Sequence, residues 1–526
     1  MGGILVASHV FAAIDVGSFE LELGIYEISG KNKIRNLDHV RHVMALGRDT
    51  YHHGKISYEQ VEELCEVLGD FSRIMKSYKA ADYRAYGTSA MREARNSQIV
   101  LDQVRVRTGI EIQIISNSEQ RFLNYKAIAA LDEDFDKNIR QGTAIVDVGF
   151  GSMQISLFDE KLLISTENLP LGALRILGAL SDVNTTVDRT RELIDGMAEN
   201  ELSNYKKMYL ADRTVHHIIG IGENILYLFR HEDNGKPLER VSRERFNLFY
   251  DQLFRLSEDE REEKFGVSAE YAALLLPCAV IYKKFMEITG AESLWIPGIR
   301  FCDGIAAEYA ADHKLVKFKH DFNNDIISTS RNMARRYRCQ SPHSEMVEVF
   351  VLQIFDTMKR YHGMGERERL LLQIAVIIHA CGKFISVRNA NECAYNIIMS
   401  TEIIGISHLE REIIANVVRY NIRDFDYNKV HMETELDSVS SGFASHRDVT
   451  IVIAKLTAIL RLANSMDRGH KQKLKGCRMS VKDKNFVVTT DYHGDITLET
   501  VSFGQKAAFF EEIFGLRPIL RQKRSD

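Results

Sequence analysis

The chain of 526 residues, 45% of them hydrophobic, with only 6 prolines and a formal net charge of −5, is long enough to bury several cores and has no overall cationic field. That balance excludes capture of nucleic acid or of an acidic membrane by bulk charge, so any polyanion must be met by a local patch. Cys65, Cys278, Cys302, Cys339, Cys381, Cys393 and Cys477 are scattered, odd in number and never spaced C-x-x-C, which argues against a disulfide frame or a zinc site and for a reducing compartment.

From the start of the chain, residues 1–14 read as a first β-strand, since they lack the basic opening of a signal peptide and run directly into Asp15. The runs VFAAID and LELGIYEIS over residues 9–30, broken at Val16-Gly17-Ser18, predict a hairpin with an acid at its mouth. Apolar residues at helical spacing predict a helix from Ser57 to Lys79, and a strand from Tyr83 to Tyr86 follows. Thr88-Ser89 are placed to cap a helix carrying Arg92 and Arg95, then come a strand at Ile112–Ile115 and a helix opening at Ser116–Glu119.

The arrangement then restarts. Thr143–Val146 is a strand leading to Asp147, and a glycine-rich turn and the strand Ile155–Phe158 follow. A helix over Thr186–Tyr205 and a strand over Val215–Ile219, ending in Gly220-Ile221-Gly222, complete the second copy. Two copies of strand, acidic turn and strand facing one another predict a two-lobed α/β fold with a phosphate site in its cleft. The apolar run near Ala272–Tyr282 is too short for the roughly 18 residues that cross a bilayer. Beyond a polar linker at Ala311–Asp325, period-3.6 runs at Ser344–Tyr361, Glu366–His379, Asn389–Met399, Leu409–Arg419 and Val449–Ala463 predict a helical domain. Short strands at Cys477–Val481 and Asn485–Thr490 predict a small α+β tail. The expected domains are residues 1–132, 133–315, 316–475 and 476–526.

A phosphate cleft needs inward-pointing backbone N–H groups, and glycine lets the chain come close enough to supply them. Asp15-Val16-Gly17-Ser18, Asp147-Val148-Gly149-Phe150-Gly151-Ser152 and Gly220-Ile221-Gly222-Glu223-Asn224 each follow an apolar strand. Any one of them alone is more readily an ordinary tight turn; all three in this order carry the signal.

In these three segments the chain resembles the Ppx/GppA phosphatases, the exopolyphosphatases and guanosine pentaphosphate phosphohydrolases. The resemblance extends to Gly87-Thr88-Ser89-Ala90-Met91-Arg92-Glu93-Ala94-Arg95-Asn96, Ile115-Ser116-Asn117-Ser118-Glu119-Gln120-Arg121, Leu169-Pro170-Leu171-Gly172-Ala173-Leu174-Arg175, and Pro297-Gly298-Ile299-Arg300 through Asp303-Gly304-Ile305. It implies an actin-like front half of two lobes and an HD-like helical back half. It implies removal of a terminal phosphate from inorganic polyphosphate or guanosine polyphosphate by water, with Mg2+ or another divalent cation. Carried onto these residues, Glu119 is the expected general base, Asp15 and Asp147 the expected metal or water holders, and Arg92 the expected clamp on a terminal phosphate. Gly17, Ser18, Gly149, Gly151, Ser152, Gly220 and Gly222 are the expected phosphate-binding positions. Read from position alone, Glu119 is a helix N-terminal acid and Arg92 a solvated helix face.

The chain departs from the family pattern at Phe19 and Glu20, at Phe150 and Gln154, and at Glu223-Asn224, where the family has smaller or differently charged residues. These changes support an alternative, a cleft that binds the polyanion without cutting it. A sugar or acetate kinase on the same core fits the other motifs less well. The back half keeps an HD scaffold without its ligand set, reading His379-Ala380 and Ala463-Asn464 where acids are expected, so His343 and His379 are expected to be structural and no metal is expected there. Arg331, Arg335, Arg336 and Arg338, with Lys471, Lys473 and Lys475, form local basic clusters that are either solvated surface or a track for a polyphosphate tail. The expected setting is cytoplasmic, with no nucleic-acid or membrane partner and room for a homodimer.

Overall fold

A computed structural model describes residues 9–29, 33–131, 135–180, 187–210, 213–229, 240–428, 430 and 446–523. The chain forms two compact units, Met1–Phe322 and Asn323–Asp526, so the boundary falls inside the stretch read as a linker.

In the first unit, strands β1 (His9–Val16), β2 (Glu20–Ser29), β3 (Lys33–Val43), β4 (Asp82–Gly87) and β5 (Gln113–Ile114) form one sheet in the order β3-β2-β1-β4-β5. Strands β6 (Thr143–Val148), β7 (Met153–Asp159), β8 (Leu162–Leu169), β9 (His217–Ile221), β10 (Val241–Ser242) and β11 (Ser293–Trp295) form a second, in the order β10-β11-β9-β6-β7-β8. Both sheets open with an antiparallel three-strand meander whose first strand then pairs in parallel with a later one, β1 with β4 and β6 with β9. The weak repeat in the sequence is thus a repeat of topology. β1 and β6 are central and buried, which is why they read as short continuous apolar runs.

β3 was not predicted. It is an edge strand of mixed polarity, KIRNLDHVRHV, with no buried face to leave an alternating pattern. The helix Leu46–His53 was also missed, because it starts from the left-handed Ala45 (φ 44°) without a side-chain cap. The helix begun at Thr88 is shorter than expected and ends at Glu93, so Arg95 lies beyond it. β9 runs on through Gly220 and Ile221, and only Gly222 leaves it in the left-handed region (φ 91°). The apolar run near residue 272 belongs to the helix Ala269–Thr289, which packs on the second sheet and donates a hydrogen bond from Tyr282 Oη to Val146 O at 2.8 Å. Among the described residues no single helix is long and apolar enough to cross a membrane.

The second unit contains the five predicted helices, as Pro342–Thr357, Glu366–Ile378, Ala390–Met399, His408–Arg419 and His446–Ser465. Strands β12 (Arg478–Lys482) and β13 (Asn485–Thr490) are joined by β14 (Arg517–Gln522), which runs parallel to β13 after the helix Thr497–Phe514. That helix packs on His446–Ser465, with the Arg461 guanidinium 4.6 Å from the centre of the Phe509 ring. The tail therefore belongs to the same compact unit as the helices.

Candidate active site

The two halves of the site are built alike. At the end of β1, Asp15 precedes a turn closed by the Gly17 N–H donating to Glu20 O at 3.0 Å. At the end of β6, Asp147 precedes a turn closed by Gly149 N–H donating to Ser152 O at 3.0 Å. A β-carbon at Gly17 would meet Glu20 O at 2.6 Å, so only glycine lets this turn close. Across each hairpin the acid has a direct partner on the same face, Glu22 opposite Asp15 and Gln154 opposite Asp147.

The two turns face one cavity of about 100 Å³, room for a few waters or for a phosphoryl group with a cation. Its walls are Asp15, Gly17, Ser18, Glu20, Glu22, Thr88, Ser89, Gln120, Asn124, Asp147, Gly149, Phe150, Gly151, Ser152, Gln154, Gly222, Asn224, Ile299, Arg300 and Phe301. Gly222 brings the third loop against Asp147; a β-carbon there would lie 2.4 Å from Asp147 Oδ1. Asn124 Nδ2 donates to Asp147 Oδ2 at 3.4 Å and Asn224 Nδ2 to Val148 O at 2.9 Å. Gln154 Nε2 donates to Gln120 Oε1 at 3.2 Å, while Gln154 Oε1 and Asn224 Oδ1 are buried acceptors with no hydrogen-bond partner.

Two hydroxyls of the cavity wall close a triangle with Tyr51, which is not itself in the lining: Ser18 Oγ lies 2.9 Å from Tyr51 Oη and 2.8 Å from Ser89 Oγ, and Tyr51 Oη and Ser89 Oγ are 2.9 Å apart. Burial raises the Tyr51 phenol above its usual pKa, against the lowering effect of Ser18 and Ser89, so it stays neutral. A β-carbon on Gly151 would collide with Tyr51 Oη at 2.1 Å, so the second turn reaches the first lobe only as glycine. The lobes are further joined by Arg175, which donates from Nη2 to both Glu93 carboxylate oxygens at 3.0 Å and from Nε to Gly151 O at 2.7 Å.

Three of the expected site residues do not line the cavity. Glu119 does not line the cavity: it completes a capping box, accepting at Oε2 from Ser116 N at 2.9 Å and Ser116 Oγ at 2.7 Å while its own N–H donates to Ser116 Oγ at 3.2 Å. The next residue, Gln120, is the one in the wall. Arg92 also lies outside the lining and donates to Ile115 O and Asn117 Oδ1, tying its short helix to the end of β5. Gly220, inside β9, faces the core, where an added β-carbon would meet Leu294 and Ile225 side chains at 3.0 and 3.4 Å. The Glu223 side chain lies outside the described residues.

The sequence reading did not count Tyr51, Ser89, Asn124 or Glu22 among the site residues. For Glu22 a signal existed: it follows Asp15 at the same interval at which Gln154 follows Asp147.

The donors in the cavity are carboxylates, hydroxyls and amide oxygens, the oxygen set a hard divalent cation prefers. Burial, with neighbouring carboxylates, pushes the Cys278 and Cys302 thiols well above their usual pKa and keeps them protonated, so neither adds a soft ligand. Among the described residues no three His, Cys, Asp or Glu side chains are grouped to cage a metal directly. The cavity therefore fits a cation held by one or two carboxylates, water and substrate oxygens.

In the second unit, His343 places Nδ1 at 2.9 Å from Asp467 Oδ2 and Nε2 at 3.0 Å from Asn464 Oδ1, so both ring nitrogens are engaged. His470 stacks on it at 3.8 Å, and His379 Nδ1 donates to Val376 O at 2.6 Å. Asp467 was not singled out in the sequence.

Residues 25–306 match the model of the Ppx/GppA phosphatase family, and residues 327–503 match Ppx/GppA phosphatase, domain III. The chain belongs to the Ppx/GppA phosphatase family. Among its relatives is a guanosine-5'-triphosphate,3'-diphosphate pyrophosphatase of Photobacterium profundum, 22% identical over 78% of this chain and 80% of that one. The exopolyphosphatase 1 of Mycobacterium tuberculosis is 29% identical over 31% of this chain, which spans just under half (46%) of that protein. Solved structures with the same fold include the Aquifex aeolicus family member (TM-score 0.50, 20% identity, 60% of this chain and 100% of that one) and an exopolyphosphatase from Cytophaga hutchinsonii (TM-score 0.51, 17% identity, 59% and 99%). The front unit thus has the actin-like fold that the family resemblance implied.

Proposed function

We propose that the protein is a Ppx/GppA-type phosphatase that hydrolyses the terminal phosphoanhydride of inorganic polyphosphate or guanosine pentaphosphate. The observation that carries this reading is the pair of identically closed Asp-x-Gly turns, Asp15 to Gly17 and Asp147 to Gly149, facing one oxygen-lined cavity. The names of the Photobacterium and Mycobacterium relatives support this pair of substrates.

In this reading the terminal phosphate enters between the turns and takes hydrogen bonds from their backbone N–H groups and from Ser18, Ser89 and Ser152. Asp15 and Asp147 would hold Mg2+ or its waters, and the ion would supply neutralisation of charge on the phosphoryl oxygens. Asn124, donating to Asp147, fixes the carboxylate orientation. Glu119 takes the proton of the attacking water. To do so its side chain must turn away from Ser116 toward the wall that Gln120 already forms, a rotation within the first turn of the helix Asn117–Leu131. Arg92 positions that turn through Asn117. The buried thiols fit a cytoplasmic setting.

The test is phosphate release from long-chain polyphosphate and from guanosine pentaphosphate, with and without Mg2+. Release from either substrate that is Mg2+-dependent and lost in Asp147→Asn is expected. Tight binding of both without release would replace this reading with that of a polyanion sensor.

A further inference from the structure

A second cavity, of about 530 Å³, adjoins the first and has no part in the reaction as described. Two side chains connect them. Tyr51 lines the second cavity while its Oη sits on Ser18 and Ser89 of the first, and Arg175 lines the second while its Nε donates to Gly151 O of the first at 2.7 Å. The inner surface is apolar, formed by Phe19 of the first lobe and by Leu174, Leu177, Ala273 and Leu274 of the second. Its size falls among pockets of roughly 300–1,000 Å³ that bury a small organic ligand.

Arg48, His52 and Glu270, all exposed, stand at its mouth. Among the described residues the Arg48 guanidinium and the His52 ring make no hydrogen bond or ion pair. Glu270 is the second residue of the helix Ala269–Thr289, where hydrogen bonds from its own backbone N–H and from Ser268 hold its carboxyl below the usual range, with Arg48 acting through space in the same direction. The charges around this cavity balance, since Arg175 is paired with Glu93 and Arg48 faces Glu270. There is no surplus to draw in a bare polyphosphate tail. There is instead an apolar slot for a ring, with a guanidinium that donates and a carboxylate that accepts at its entrance. Guanine carries the matching edges: O6 and N7 accept from arginine and the N2 amino group donates, whereas adenine has an amino group in place of O6.

We infer that this second cavity seats the guanine base of the substrate, read by Arg48 and Glu270, so that of the two substrates proposed above the guanosine polyphosphate is the one this chain selects. The inference rests on the phosphatase reading for the reaction, but not for the binding of the base. The terminal phosphate lies between the Asp-x-Gly turns, and the base lies behind the wall that Tyr51 and Arg175 share with them.

The experiment is calorimetric titration of the full-length protein with guanosine 5'-diphosphate and, separately, with adenosine 5'-diphosphate. The guanine nucleotide should bind about tenfold more tightly, Glu270→Gln should abolish most of that preference, and Arg48→Gln should weaken guanosine diphosphate by about tenfold. Both side chains are exposed, so thermal unfolding of the variants should match wild type; Glu270→Asp and Arg48→Lys serve if either does not fold. With substrates, Glu270→Gln should raise KM for guanosine pentaphosphate and leave KM for polyphosphate unchanged. Equal binding of the two nucleotides by wild type, or guanosine diphosphate binding unchanged in both Glu270→Gln and Arg48→Gln, overturns the inference. So does guanosine diphosphate that slows polyphosphate hydrolysis without competing with it, which would make the base that of a separate regulator. The phosphatase reading fails separately: wild-type protein that shows the Glu270-dependent preference yet releases no phosphate from either substrate leaves the seat standing and removes the reaction.

Discussion

Phe19 and Phe150 stack on each other across the cleft, with ring centroids 4.8 Å apart and planes 28° apart, and Tyr271 meets the Phe19 ring edge-on at 4.9 Å. These are two of the positions at which the chain departs from the pattern of its family, one in each phosphate turn. Read separately, each is a bulky intrusion into a phosphate loop; together they are one contact that joins the lobes beside the Arg175–Glu93 ion pair. In a double-mutant cycle of Phe19→Leu and Phe150→Leu, urea unfolding should give a coupling energy of roughly 0.5–1.5 kcal/mol. A coupling indistinguishable from zero would show that the rings are neighbours without being partners.

Glu119→Gln separates the two roles open to this residue. Glutamine also completes a capping box, so the midpoint of thermal unfolding should stay within a degree or two of wild type. Loss of the base should nevertheless lower kcat by about 10²–10⁴. Retention of kcat with an unchanged midpoint would confine Glu119 to the start of its helix.

Gly222→Ala and Gly196→Ala form a contrasting pair. At 222 the backbone has φ 91° and the new β-carbon would sit 2.4 Å from Asp147 Oδ1, so strain and displacement of the acid act together. We expect a loss of about 1–2 kcal/mol of stability and at least tenfold in kcat. At 196, within the helix Val187–Tyr205, nothing lies within 4 Å of the added carbon. That substitution should stabilise by about 0.5–1 kcal/mol and leave kcat unchanged.

Burial pushes the His379 imidazole down to about 4, with the nearby His343, Lys383 and His470 acting in the same direction. A base whose pKa is lower folded than unfolded binds fewer protons in the native state between the two values. Its contribution is therefore complete above about pH 6.5 and is lost as pH falls toward 4, on the order of 1–3 kcal/mol over that window. Hydrogen exchange in peptides covering the helix Glu366–Ile378 should accelerate between pH 7 and pH 5, after correction for intrinsic rates, and His379→Gln should flatten the change. A flat wild-type profile would mean that the ring already reaches solvent.

What the sequence disclosed followed from where the chemistry sits on strands. Asp15 and Asp147 were legible because each ends a buried apolar run and opens a turn that requires glycine, a pattern fixed by backbone geometry. β3 was not legible, since an exposed edge strand has no alternation to display. Arg92 and Glu119 carried motif signals but not positions: whether a side chain turns to its own helix start or into the cavity depends on Ser116 and Asn117, whose hydroxyl and amide reach them only in the folded chain. The Phe19–Phe150 contact and the Asp467–His343 pair were hidden for a different reason. They join residues distant in sequence, and each member alone looks like a local substitution.

Asp15 is the seventh residue of an eight-residue strand and Asp147 the fifth of a six-residue one, so both acids lie within strands and not on loops. A side chain seated in a paired strand cannot shift without its sheet. The separation of the two acids is then set by how the two sheets are held against each other, and the Phe19–Phe150 stack and the Arg175–Glu93 ion pair, though neither holds a substrate oxygen, are part of what fixes the gap between them.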